Sequence, residues 1–356
     1  MRAADRDAWE ALRAAGITSG EAPAAGEEHA PWYVRTMLGV AGWIGAFFLL
    51  GFVGIGFAAV FESASASVVV GALLVAAAGA FIGRFARNDF ASQLGLATSF
   101  AGQALLLTGV SRTFDWDGTA VWLVIAAIEA ALAVLIAQPI HRVWSALAAG
   151  SAIWLAFRAA GFPAVGTGVL AAAMAGLWFA ELAWPRLHLL LRESAYGATL
   201  ALVFVEGFVI LQRLAFDLVG ETLPGAGRGL GFGELLTGAV LVAVVWRLCE
   251  RSGTVIAPRE RTAALAAAAL VAVVSSRAPG IAAGLTIVVL GFANGHRTVV
   301  GIGVLALVAA VSAFYYGIQD TLLAKSQSLA VLGIVLLGIR AAALRWLGPM
   351  PETRHA

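Results

Sequence analysis

Two glutamates stand where a sequence rarely places a charge. Glu129 is set among Ala126, Ala127, Ala130 and Ala133, and Glu206 lies beside Gly207, each near the middle of an apolar segment. An ionisable side chain at mid-membrane costs about 2.5–3.5 kcal/mol on insertion scales, so each needs a compensating reason. A carboxyl at that depth can load and release a proton, which is the chemistry of ion coupling. The alternative is a protonated carboxyl hydrogen-bonded to a neighbouring helix, or one paired with an arginine. A denser polar run follows late in the chain, with Tyr315, Tyr316, Asp320 and Lys325. It reads either as an interfacial aromatic belt with a snorkelling lysine, or as an outward-facing polar site for an ion or an anionic head group. A second polar cluster, Arg112, Asp115, Asp117 and Arg277, is what an intramembrane enzyme acting on lipid or polyprenyl groups would need. Gln93, Thr98, Ser99, Gln103 and Thr108 make one further segment polar, as a pathway or as interhelical hydrogen bonding.

Other chemistries lack their residues. The sequence contains no P-loop, GxSxG, HExxH or strand-to-helix GxGxxG pattern. Cys249 is the single cysteine, and no Cys/His spacing fits zinc. His29, His141, His188, His296 and His355 fall in polar breaks or termini, so no pair within spans is placed to ligate a haem. No catalytic residue, metal or cofactor is expected. The 23 Lys and Arg are scattered rather than gathered into a stripe that neutralises phosphates, which argues against nucleic acid.

The elements that must position these residues follow from composition. Of 356 residues 61% are hydrophobic and 12% charged, and the mean hydropathy is +0.89. A soluble domain carries about 25% charged residues, so the expected fold is all-α, a polytopic transmembrane helix bundle whose main partner is the lipid bilayer. An apolar helix needs about 20 residues to cross the hydrocarbon. Cutting the chain where charges, Pro, Gly and Asn cluster predicts about 12 spans. These are Arg35–Phe61, Ser65–Gly83, Ala91–Val110, Thr119–Ala137, Val143–Ala160, Pro163–Trp184, Ala195–Leu214, Leu230–Leu248, Thr262–Ser276, Gly280–Ala293, Thr298–Gly317 and Leu322–Ala343. The ninth and tenth are short for a full crossing, and ten spans is the fallback count.

Cytoplasmic loops hold the excess of Lys and Arg. With the N-terminus inside, 17 of these residues fall on the cytoplasmic side, and Arg112, Arg158, Arg213, Arg228, Arg277 and Lys325 fall opposite. Both termini are therefore expected in the cytoplasm. Residues 1–31 read as a cytoplasmic amphipathic headpiece, in which Ala8, Leu12 and Ala15 share an apolar helical face that stops at Gly16. Residues 32–348 form the transmembrane domain and 349–356 a cytoplasmic tail. Echoes between Leu73–Arg84 and Leu241–Arg251, Ser111-Arg112 and Ser276-Arg277, and His141-Arg142 and His296-Arg297 suggest two six-helix halves, 32–190 and 191–348, at unequal offsets. Gly79 with Gly83, and Gly291 with Gly295, have the spacing for close helix packing, within the chain or in a homo-oligomer.

The segment FYYGIQDTLLAKSQSLAVLGIVLLGIRAAALRW, together with WYVRTMLGVAGWIGAFFLLGFVG at the first span, resembles the bacterial membrane family catalogued as domain of unknown function 4401. The most specific elements are Tyr315, Tyr316, Leu322, Leu323, Lys325 and Ser326, and the similarity covers nearly the whole chain after the headpiece. The resemblance implies the bacterial inner membrane. It also implies neighbouring gene products, namely a second multispanning protein and a small protein with a GDYXXLXY motif, and hence an envelope complex. The headpiece, with WEALRAAGI, is similar to the N-terminus of that second multispanning family. The resemblance carries no catalytic residue. Two readings follow. One is a secondary transporter or permease-like protein using Glu129 and Glu206; the other is a non-catalytic subunit of an envelope membrane-protein complex.

Overall fold

The computed structural model describes residues 62–85, 89–114, 118–219, 226–252, 257–276 and 278–317, with isolated positions among the first 51 residues and Leu323. Most of the first and twelfth expected spans, most of the headpiece and the tail lie outside the described residues. Among those described, every regular element is helical: α1 (Ala64–Arg84), α2 (Asp89–Thr113), α3 (Thr119–Leu135), α4 (Pro139–Ala159), α5 (Pro163–Ala183), a short 3-10 turn (Pro185–Leu187), α6 (His188–Val219), α7 (Ala226–Arg251), α8 (Pro258–Ser275), α9 (Ile281–Ala293) and α10 (Arg297–Gly317). Each α-helix overlays one of the twelve expected segments.

Six of them are long and apolar enough to cross a membrane: α1, α2, α5, α6, α7 and α10. Along their lengths they expose many large apolar side chains, among them Leu73, Phe204, Leu211, Trp246 and Leu305. On a protein in water such a coat would be unusually apolar, whereas in lipid it costs nothing. The chain is a membrane protein on these grounds, while a count of about 12 spans goes beyond them. α3 and α9 are apolar but shorter. At 1.5 Å per residue, the 13 residues of α9 rise about 20 Å, against about 30 Å of hydrocarbon.

Local chemistry sets the boundaries. At α4 the Gln138 side chain accepts from the His141 N–H at 2.6 Å and Pro139 takes the first turn, where its missing donor is harmless. At α8 the Glu260 carboxylate reaches back to the Ala257 N–H at 3.2 Å. α9 starts from Gly280, at φ +85°, a conformation that a side chain would strain. Near the N-terminus, the described helical residues from Trp9 to Ala14 end at Gly16, at φ +69°.

Two compact units result, Met1–Leu106 and Leu107–Ala356. In the first, α1 and α2 touch backbone to backbone. A Cβ added at Gly71 would lie 2.6 Å from the Leu106 nitrogen and 2.7 Å from the Gly102 oxygen, so only glycine permits the approach. The expected Gly79/Gly83 pair does not make this seam, because Gly83 faces open space. Gly291 does pack closely, against Val299 and Val300, but Gly295 belongs to the α9–α10 turn, at φ +73°. In the second unit the core gathers around Trp154, Leu170, Met174, Trp178, Leu202, Val205, Val244, Ile287 and Leu290, contributed by α4 to α7 and α9. Helices on both sides of residue 190 pack together in it, α6 lying against both α4 and α5.

Candidate functional site

The second unit has two polar seams near one of its ends. The first lies between α3 and α4, which are joined by three residues and form a tight helical hairpin. Glu129 of α3 and Ser145 and His141 of α4 are each fully buried. Residues 141 and 145 are one turn apart and share a helix face. The Ser145 hydroxyl is the polar group facing the Glu129 carboxyl. Among the described residues, neither Glu129 oxygen nor Ser145 Oγ attains full hydrogen-bond geometry with a partner. Roughly nine in ten buried polar groups are paired in folded proteins, so an unpaired carboxyl and hydroxyl facing each other is an exception that asks for an explanation.

One turn beyond this seam a single side chain ties three helices. Arg142 of α4 donates from Nη1 to Glu193 Oε2 of α6 at 3.0 Å, and from Nε to the Ala133 carbonyl of α3 at 3.1 Å. Ala133 lies in the last turn of α3, where carbonyls have no intrahelical donor, and the guanidinium supplies one. Both charged side chains are largely buried.

The second seam surrounds Trp178 of α5. Its indole N–H donates to Thr199 Oγ1 at 3.0 Å, and that hydroxyl donates to the Ala195 carbonyl at 2.7 Å. Asn294 Nδ2 donates to the Trp178 carbonyl at 3.2 Å, and His296 Nε2 lies 3.1 and 3.2 Å from the two oxygens of Glu181. Tyr196 and His296 pack on the Trp178 ring, at centroid distances of 5.3 and 5.0 Å. Arg251 stacks over Phe179, 4.6 Å from its centroid. These contacts fix the ends of α5, α6, α7 and α9 to one another.

Glu206, on α6, is 5% exposed and its side chain lies beside the core residues Leu202 and Val205. Glu129 and Glu206 are thus both buried, but on different helices, α3 and α6. At the opposite end of the unit, Glu234 of α7 accepts from the Gly280 N–H at 3.4 Å, and Arg158 stacks over Trp154 and Phe208. Tyr315 and Tyr316 meet edge to face at 5.5 Å, with Tyr316 exposed. Asp320 and Lys325 lie outside the described residues, as do Asp115, Asp117 and Arg277. Arg112, the described member of that cluster, is exposed at the end of α2. In the polar helix α2, Ser99 and Gln103 are buried, while the Thr98 hydroxyl donates to its own helix at Leu94. Among the described residues, no three His, Cys, Asp or Glu converge as metal ligands.

Glu181, Glu193 and Glu234 are the buried carboxylates that reading the sequence missed. They lie near segment ends, where a charge looks solvated. The available signal was the set of residues assigned to the same side of the membrane, since Glu181 and Glu193 flank one break whereas Arg142 and His296 stand in two others. No curated protein and no solved structure matches the chain. A family model described as a domain of unknown function, DUF4401, matches residues 31–346, which include every described helix from α1 to α10, and the chain belongs to that family.

Proposed function

We propose that this protein is a secondary transporter or permease-like protein of the bacterial inner membrane, with about 12 spans, both termini in the cytoplasm, and a proton-coupling carboxyl at Glu129. The observation that carries the reading is the complete burial of that carboxyl in an apolar helix, with the Ser145 hydroxyl as its polar neighbour and no ion-pair partner among the described residues. A carboxyl kept only for packing finds a partner, as Glu181, Glu193 and Glu234 do in the same unit. A carboxyl facing a single hydroxyl, as Glu129 does, changes its protonation without breaking an ion pair or a backbone tie. Glu206 is the second coupling position, on a separate helix, which suits a proton and a solute held at two places rather than one.

The orientation rests on the arginine count, 17 of 23 positive residues on the cytoplasmic side. In that topology the Arg142–Glu193 and His296–Glu181 contacts face the cytoplasm. The experiment is pH-dependent solute uptake in cells carrying wild type, Glu129→Gln or Glu206→Gln at matched expression. The reading expects Glu129→Gln to abolish the pH dependence and Glu206→Gln to weaken it; unchanged uptake profiles in both variants would overturn it. In that event the envelope-complex reading gains, and deleting residues 1–30 should then abolish copurification with the neighbouring membrane proteins.

A further inference from the structure

We propose that the Arg142–Glu193 clasp is a gate on a proton route along one face of α4, leading through His141 and Ser145 to Glu129. This rests on the coupling role given to Glu129 above. It goes further in naming the side from which the proton arrives, the residues that carry it and the pair that closes the way.

The route is built from side chains of suitable chemistry at suitable spacing. His141 and Ser145 occupy successive turns of α4, both fully buried, and Glu129 faces Ser145 from α3. A helix turn rises 5.4 Å, so the three groups step inward from the end of the hairpin towards the middle of α3. An imidazole carries a proton on either nitrogen, and a hydroxyl both donates and accepts. The transfer balances without any co-reactant. A proton taken up by one His141 nitrogen leaves from the other, passes by exchange through the Ser145 hydroxyl, and adds to a Glu129 carboxylate oxygen.

Arg142 supplies the barrier. Its guanidinium is anchored at two points, on Glu193 and on the Ala133 carbonyl, next to His141 in sequence and one turn from Glu129 along α3. A fixed cation at the mouth of a narrow polar path repels protons, as it does in other selective pores. Among the described residues, Ser145 is the polar side chain set against Glu129, while His141 and Arg142 stand one turn nearer the end of the hairpin on α4 and Glu193 of α6 bonds the arginine. Glu193 thus holds the cation in place. When Glu193 loses its charge, or α6 moves, one anchor is lost, and the guanidinium is free to leave the path. The Trp178 seam nearby has no such arrangement, because its carboxylate, Glu181, is bonded to the imidazole itself.

The test is accessibility of the route in membrane vesicles. Ser145→Cys is introduced into full-length protein carrying Cys249→Ser, which removes the single native thiol, and labelling by a membrane-impermeant maleimide is timed from the cytoplasmic side. The gate predicts that Ser145→Cys reacts slowly alone and roughly tenfold faster with Glu193→Gln, corresponding to about 1.4 kcal/mol. Arg142→Gln should accelerate it similarly, whereas Glu193→Asp, which keeps the charge, should restore slow labelling and shows that the fold tolerates change there. Equal rates with and without Glu193→Gln, or acceleration only from the opposite side, would overturn the gate. The outcome is separable from the coupling role. If labelling obeys the gate while uptake ignores Glu129→Gln, the route stands and the transporter reading falls.

Discussion

The α3–α4 seam and the Trp178 seam lie in the same unit, near the same end, and each buries a glutamate; they differ in what surrounds it. Glu181 meets His296 with both oxygens, while the neighbouring Trp178, Thr199 and Asn294 complete a chain of hydrogen bonds across α5, α6 and the α9–α10 turn. Glu129 and Ser145 face each other, and among the described residues neither is tied into a wider network of hydrogen bonds. A satisfied buried network rigidifies a fold, and a half-satisfied one costs stability. The contrast makes the Trp178 seam the structural one and supports the coupling role proposed for the α3–α4 seam.

The largest effect should therefore come from the Trp178 seam. Trp178→Ala removes a fully buried ring and should lower unfolding stability by about 3–5 kcal/mol, measured by denaturant titration in detergent. A loss well under that would show that the seam is not the structural centre. Glu181→Gln takes the charge from the His296 contact and should cost about 1.5–3 kcal/mol in the same titration. The opposite sign is expected at Glu129. Glu129→Leu relieves an unpaired buried carboxyl and should leave stability unchanged or raise it by about 1–3 kcal/mol, while removing pH-dependent uptake. A strong destabilisation by that substitution would make Glu129 a packing residue and erase the distinction. The smallest effect falls to Thr199→Val, which strips the Trp178 indole of its acceptor and should cost about 0.5–1.5 kcal/mol without altering uptake.

Segment positions were legible because composition dictates them. Thr119 and Pro163 begin helices both in the sequence reading and in the structure, and α1 and α10 agree with expectation to within about a residue. The ends of α6 were not legible. Hydropathy stops the segment at Ala195, yet the helix begins at His188, because a helix continues past the apolar core wherever its polar turns find partners. Arg192 and Glu193 lie in those turns, and Glu193 finds Arg142. The burial of Glu129 and Glu206 was readable from their apolar flanks alone. The clasp was not, since its partners are 51 residues apart, and the Glu181–His296 contact spans 115. Helix period says which residues share a face but not which helix that face meets. The glycine seams show the same limit, with Gly71 and Gly102 making the close approach and the Gly79/Gly83 spacing leaving Gly83 against open space.

The central proposal is that Glu129 takes up and releases a proton within its apolar helix, whereas Glu181 serves the structure through its contact with His296. A hydrophobic carbodiimide, which reacts with protonated carboxyls in apolar surroundings, tests it directly when membranes are treated across a pH series and the modified peptides are identified by mass spectrometry. The account predicts labelling at Glu129 that is strong in acid and fades as pH rises, is absent from Glu129→Gln, and in acid far exceeds that at Glu181. Labelling of Glu129 that does not vary with pH, or an equal yield at Glu181, would contradict it.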